Sequence, residues 1–153
     1  MMIGSTHDQA GELALALEWG LIDLDEVVAW ADRRILDGAD VDQALFEVSL
    51  SESPKVALSG LNRLAPACSF WPSVLRVLGR ITEIEELSPK QASKLAKHIF
   101  HLGMRRDAPE PFSNLMHHWD YIDLAIQGVT GSPENAVGEF VQDVAALLDK
   151  HVE

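Results

Sequence analysis

Residues 23–38, Asp-Leu-Asp-Glu-Val-Val-Ala-Trp-Ala-Asp-Arg-Arg-Ile-Leu-Asp-Gly, fit one secondary structure. Asp23 can accept a hydrogen bond from a first-turn N–H, and Glu26, three positions on, can reach back to close a capping box. Leu24, Val27, Val28, Ala31 and Ile35 recur at spacings of three and four, which makes one apolar helix stripe. Gly38 stands where a left-handed residue stops a helix. The opposite face carries Asp25, Glu26, Asp32, Arg33 and Asp37. Trp30 and Arg34 border the stripe four residues apart, a spacing that suits a cation–π pair.

The same grammar repeats along the chain. Thr6 and Gln9 form a capping-box pair ahead of Ala10, Leu13, Ala14 and Leu17, with Gly20 as the stop. The connection from Gly20 to Asp23 is so short that an antiparallel pair with the next helix is expected. Asp40 and Gln43 restart the pattern for Val41, Ala44, Leu45 and Val48. Ser-Pro opens three further helices, at 53, 88 and 132; the serine caps and the proline sits in the first turn, where its missing N–H costs nothing. Pro72 opens another, with Trp71, Val74, Leu75, Leu78 and Ile81 inward. After a proline-marked break at 108–111, Phe112, Leu115, Met116, Trp119, Ile122 and Ile126 form a stripe. Asp123 falls close to that stripe, where a buried carboxylate needs a partner.

No segment reads as a strand, because continuous β-branched runs are absent. The expected fold is all-α: a bundle of about eight short-to-medium helices in one domain spanning residues 1–153, stacked as antiparallel helix pairs. The Ser-Pro spacings of 35 and 44 resemble those of paired-helix arrays, but the flanking residues do not repeat, so a solenoid is disfavoured.

Charge narrows the function. The net charge of −12 is uneven. Residues 1–50 hold eleven acids against Arg33 and Arg34, a net of −9; residues 51–100 are net +3 and residues 101–153 net −6. Such a chain is poor bait for nucleic acid or anionic membrane and attracts basic partners. No run is apolar for long enough to cross a bilayer. Residues 1–9 lack the pattern of a secretory signal, and the one cysteine, Cys68, has no partner for an internal disulfide. A cytoplasmic location, with Cys68 a small buried residue, is the expectation.

No P-loop, dinucleotide-binding glycine fingerprint, nucleophile elbow or His-Glu-x-x-His helix is present. The group with the most chemistry is His98, His101, His117 and His118, with Asp120 and Asp123 close behind. On one helix His98 and His101 lie about 60° apart, and two such helices can present ligands to zinc or iron. The spacing is not distinctive, and adjacent His117 and His118 diverge on a helix. Lys90, Lys94, Lys97, His101 and Arg105 form a basic stripe, which suits a solvated face, a docking surface for the protein's own acidic helices, or an anionic partner.

The leading expectation is therefore a small acidic protein-binding module, not an enzyme and without cofactor, as a monomer or homodimer. Inhibitor and immunity-type proteins work by such means, neutralising a basic partner with concentrated negative charge. Its expected contact residues are Asp25, Glu26, Trp30, Asp32, Asp37, Asp40 and Asp42, with Trp30 the aromatic anchor. The alternatives are a metal-dependent or acid–base helical enzyme built on the histidine group, and a structural homo-oligomer.

Overall fold

A computed structural model describes residues 5–38 and 42–151. Among them the fold is all-α, with eight α-helices, two 3-10 segments and no strand. The helices are α1 (Thr6–Glu18), α2 (Leu24–Leu36), α3 (Gln43–Ser49), α4 (Pro54–Leu64), α5 (Phe70–Thr82), α6 (Pro89–Gly103), α7 (His118–Ile126) and α8 (Pro133–His151). The 3-10 segments are Ala67–Ser69 and Glu110–Leu115. The chain divides into two compact units, Met1–Val77 and Leu78–Glu153, the division falling inside α5.

The expected starts are set by local side-chain caps. Asp23 accepts from the Glu26 N–H at 2.9 Å, Ser53 from Val56 at 3.3 Å, Ser88 from Gln91 at 3.1 Å and Ser132 from Asn135 at 3.1 Å. Gly20 and Gly38 take positive φ, 77° and 75°, beyond the ends of α1 and α2. Two caps differ from expectation, and α5 starts at Phe70, ahead of the expected Pro72. Ser5, not Thr6, caps α1, its hydroxyl accepting from Asp8 N–H at 3.2 Å. Asp42 caps α3, accepting from Ala44 N–H at 3.0 Å. Asp40 and Val41 lie outside the described residues.

With Ser5 as the cap, Thr6 and Gln9 turn inward, and this organises the first unit. Thr6, Gln9 and Glu12 are all buried, one turn apart on one side of α1. Each meets a partner on another helix: Arg34 Nε donates to Thr6 Oγ1 at 2.9 Å, Trp30 Nε1 donates to Gln9 Oε1 at 2.9 Å, and Glu12 pairs with Arg76 at 3.2 Å. The order Thr6–Arg34 then Gln9–Trp30 makes α1 and α2 antiparallel, as the short connection implies. Yet α1 packs more extensively on α4 than on α2. Gly11 permits the approach of α5: a Cβ there would stand 2.7 Å from Ser73 Oγ. Ala10, Leu13, Ala14 and Ala16 are buried as well, so α1 is more deeply buried than α2.

Trp30 and Arg34 thus spend their polar groups on α1 instead of stacking on each other. Cys68 is exposed, contrary to the expectation of burial, and lies in the 3-10 segment ahead of α5.

In the second unit, α6, α7, α8 and the Glu110–Leu115 segment pack together. Their core includes Leu95, Ile99, Phe112, Leu115, Ile122, Phe140 and Val144. The stripe expected as one helix from Phe112 is split into a 3-10 segment and α7. Pro109 and Pro111 withhold N–H groups and restrict the residues before them, so an α-helical ladder cannot start there. Asp123 is half-buried and does have its partner, the Ser93 hydroxyl, which donates to Oδ1.

The Glu12–Arg76 pair gives a stability test. Glu12 is 8% exposed at its side chain and Arg76 32%. Arg76→Met removes the cation that offsets the desolvation of Glu12, and the expected loss is about 2 kcal/mol, below the cost for a fully buried pair. Adding Glu12→Leu to that variant should recover most of the loss in urea unfolding. An additive double variant contradicts the pairing.

Candidate functional site

The α2–α3 face is built from two local rules. Asp25, Ala29, Asp32 and Leu36 recur at four, three and four residues, so they share one side of α2. Asp25, Asp32 and Leu36 are exposed, and Leu36 is 84% exposed. On α3, Ala44, Leu45 and Val48 are buried, which leaves Phe46 and Leu50, one turn apart, facing out at 45% and 77% exposure. The Ser49 hydroxyl donates to Asp32 Oδ1 and ties the end of α3 to the middle of α2. Leu36 follows Asp32 by one turn on the same side of α2, and Leu50 follows Ser49 in sequence at the end of α3. The result is an acidic surface with exposed apolar side chains set in it.

Helix stability accounts for only some of this charge. Asp25 and Glu26 occupy the first turn of α2, where the dipole favours anions. Asp37 occupies the C-cap, where the dipole opposes a carboxylate. Arg33 and Arg34 complement that end, but Arg34 is turned toward Thr6.

Of the expected contact residues, Asp25, Glu26, Asp32, Asp37 and Asp42 are exposed, though Asp42 also serves as the α3 cap. Asp40 lies outside the described residues. Trp30 does not belong to the surface. It is 4% exposed, held inward by its bond to Gln9, and cannot anchor a partner. The exposed apolar residues are instead Leu36, Phe46 and Leu50. Their signal was available: each falls off the apolar stripe of its own helix.

The expected basic stripe is exposed at Lys90, Lys94, Lys97, His101 and Arg105, but only the first four lie on α6, because the helix ends at Gly103 before Arg105. Part of it is engaged locally. Lys97 Nζ lies 5.6 Å from the centre of the Trp119 ring, His101 packs on the same ring, and Arg105 forms a two-point contact with Asp107 at 3.0 and 3.2 Å. Hydrogen bonding to Asp107 raises the Arg105 pKa further.

The histidines do not gather as one group. Among the described residues, the cluster with metal-ligand character is His117, His118 and Asp143, whose ligand atoms all lie within 4.8 Å of one another. His98 and His101 are outside it. His117 precedes α7 as its N-cap and His118 is the first helical residue, and contrary to the expected divergence their rings meet. Their centres are 4.0 Å apart and the planes 36° apart. His118 is fully buried against Phe140, with Nε2 2.7 Å from Asp143 Oδ2. A carboxylate only accepts, so Nε2 carries the proton, and the buried Nδ1 has a lone pair with no hydrogen-bond partner. Asp143 was missed because it lies 25 residues away on another helix.

Burial lowers the His118 pKa below 6.5, and the neighbouring His117 adds to this; the hydrogen bond and charge of Asp143, and the charge of Glu139, oppose it without winning. The ring is neutral near neutral pH, and its contact with Asp143 is a hydrogen bond more than an ion pair.

Comparison with protein-family models, with curated proteins and with solved structures finds no significant match.

The His118 environment predicts a pH dependence with a definite sign. As pH falls through 6.5 the unfolded chain takes up a proton that the folded chain refuses, so this histidine's contribution to stability falls. The fall levels off below the depressed folded-state value, where both states are protonated. NMR titration of the ring in chelator-treated buffer should give a midpoint under 6.5 that moves lower still in Asp143→Asn. A midpoint at or above 6.5 contradicts this account.

Proposed function

We propose that this chain is a protein-binding module whose α2–α3 face receives a basic partner, in the manner of an inhibitor or immunity-type protein. The observation that carries the proposal is that exposed Leu36 shares one side of α2 with Asp25 and Asp32, and that Phe46 and Leu50 are exposed on α3, whose end Ser49 ties to Asp32. Exposed apolar side chains within a polar surround mark interaction surfaces. Affinity in such a surface comes from a few apolar anchors that become fully desolvated, while the surrounding charge speeds encounter and selects the partner's sign. The unfavourable position of Asp37 at the end of α2 supports a role for its charge outside the helix itself.

The two contributions separate experimentally. Asp25→Asn, Asp32→Asn and Asp37→Asn together should slow association with a captured partner by about tenfold at low salt and flatten its salt dependence. Leu36→Ser with Phe46→Ser should leave association nearly unchanged and accelerate dissociation. The binding kinetics of wild type and both variants, measured on one captured partner, decide the matter. Identical kinetics in all three proteins would remove the proposal.

A further inference from the structure

We propose that His117, His118 and Asp143 form a binding site for a divalent transition-metal ion of the zinc or iron class. The site is independent of the α2–α3 face and lies within the second unit. Two imidazoles and one carboxylate are a donor set that borderline ions accept, with three protein ligands leaving a coordination position open. The geometry is close to what binding requires. Tetrahedral zinc at ordinary bond lengths holds its ligand atoms about 3.3 Å apart. Here one ligand atom of each group already lies within 4.8 Å of the other two.

The three residues divide the work. His118 is locked in the core and fixes one ligand in place. His117 is exposed and the Asp143 side chain is 46% exposed, so both have room to close on an ion that arrives from solvent. A cleft of about 450 Å³ runs alongside, with His117 and Asp143 in its wall and Ser113, Asn114 and Lys150 around them. That cleft supplies the path in and the space for a water or anion at the open position.

The second independent observation is the unsatisfied nitrogen. A neutral imidazole has one N–H and one lone pair. In His118 the N–H is engaged by Asp143, and the lone pair, at buried Nδ1, meets no donor. A buried polar atom without a partner calls for an explanation, and a ring whose lone pair is unused in the metal-free protein has one in metal ligation. Coordination at Nδ1 uses the lone pair and leaves the proton on Nε2, so Asp143 joins the ion by turning from Nε2.

The test is calorimetric titration of zinc(II) into untagged, chelator-stripped protein. Cobalt(II) serves as a spectroscopic probe of coordination number. The expected result is one equivalent bound, with the intense visible absorption of four-coordinate cobalt. His117→Ala and Asp143→Ala should each weaken binding by at least about tenfold. Both positions are solvent-accessible, so these variants should fold, which circular dichroism checks; His118→Ala is avoided because it would open the core. His101→Ala should leave binding unchanged. Absence of stoichiometric binding, binding that survives both site variants, or binding lost in His101→Ala overturns the proposal.

Discussion

The first unit depends on three polar side chains placed where a helix would ordinarily put leucines. Thr6, Gln9 and Glu12 line one side of α1, and each meets a group from another helix, the first two by hydrogen bonds and Glu12 by an ion pair. Buried polar atoms cost several kcal/mol if left unmet, so these contacts act more as constraints than as sources of stability. An apolar seam tolerates sliding by a residue or rotation of a few tens of degrees. A seam carrying an indole N–H and a guanidinium does not, because a small slip strands a donor in the core. Small residues then let the neighbours close in, most directly where Gly11 faces Ser73.

The outward chemistry follows from that inward one. With Trp30 tied to Gln9 and Arg34 tied to Thr6, the rotation of α2 about its axis is fixed. The side presented to solvent is then the one bearing Asp25, Asp32 and Leu36. The Ser49–Asp32 bond brings the end of α3 against it, and Phe46 and Leu50 follow. Taking Arg34 inward also withdraws one of the two cations of residues 1–50 from partial neutralisation of the acidic side. A polar network in the core thereby shapes the field at the surface.

What was legible in the sequence is what is decided within one turn of helix. Asp23, Ser53, Ser88 and Ser132 each bond an N–H three positions on, so the residue types alone identify them. The burial of Ala92, Leu95, Ala96 and Ile99 follows from period, and so does the partial burial of Asp123. What was hidden depends on contacts between helices. Trp30 borders the stripe by its spacing, and only Gln9, 21 residues earlier, decides that it turns in. Thr6 and Gln9 resemble a cap until Ser5 takes that role. The histidines are visible as residue types, but Asp143, on another helix, selects His117 and His118 over His98 and His101.

The two candidate surfaces are physically unlike. One is a broad acidic face with apolar points, suited to a macromolecule; the other is a compact three-residue cluster beside a cleft, suited to an ion. The account rests most on the first. Its most direct test is site-specific photocrosslinking in living cells of the native host, with a photoreactive residue at Leu36 and, as a control, at Val129, which is also exposed. The account predicts that the Leu36 position captures one discrete basic protein and that the Val129 position does not. Equal capture from both positions, or capture at Val129 alone, would contradict it.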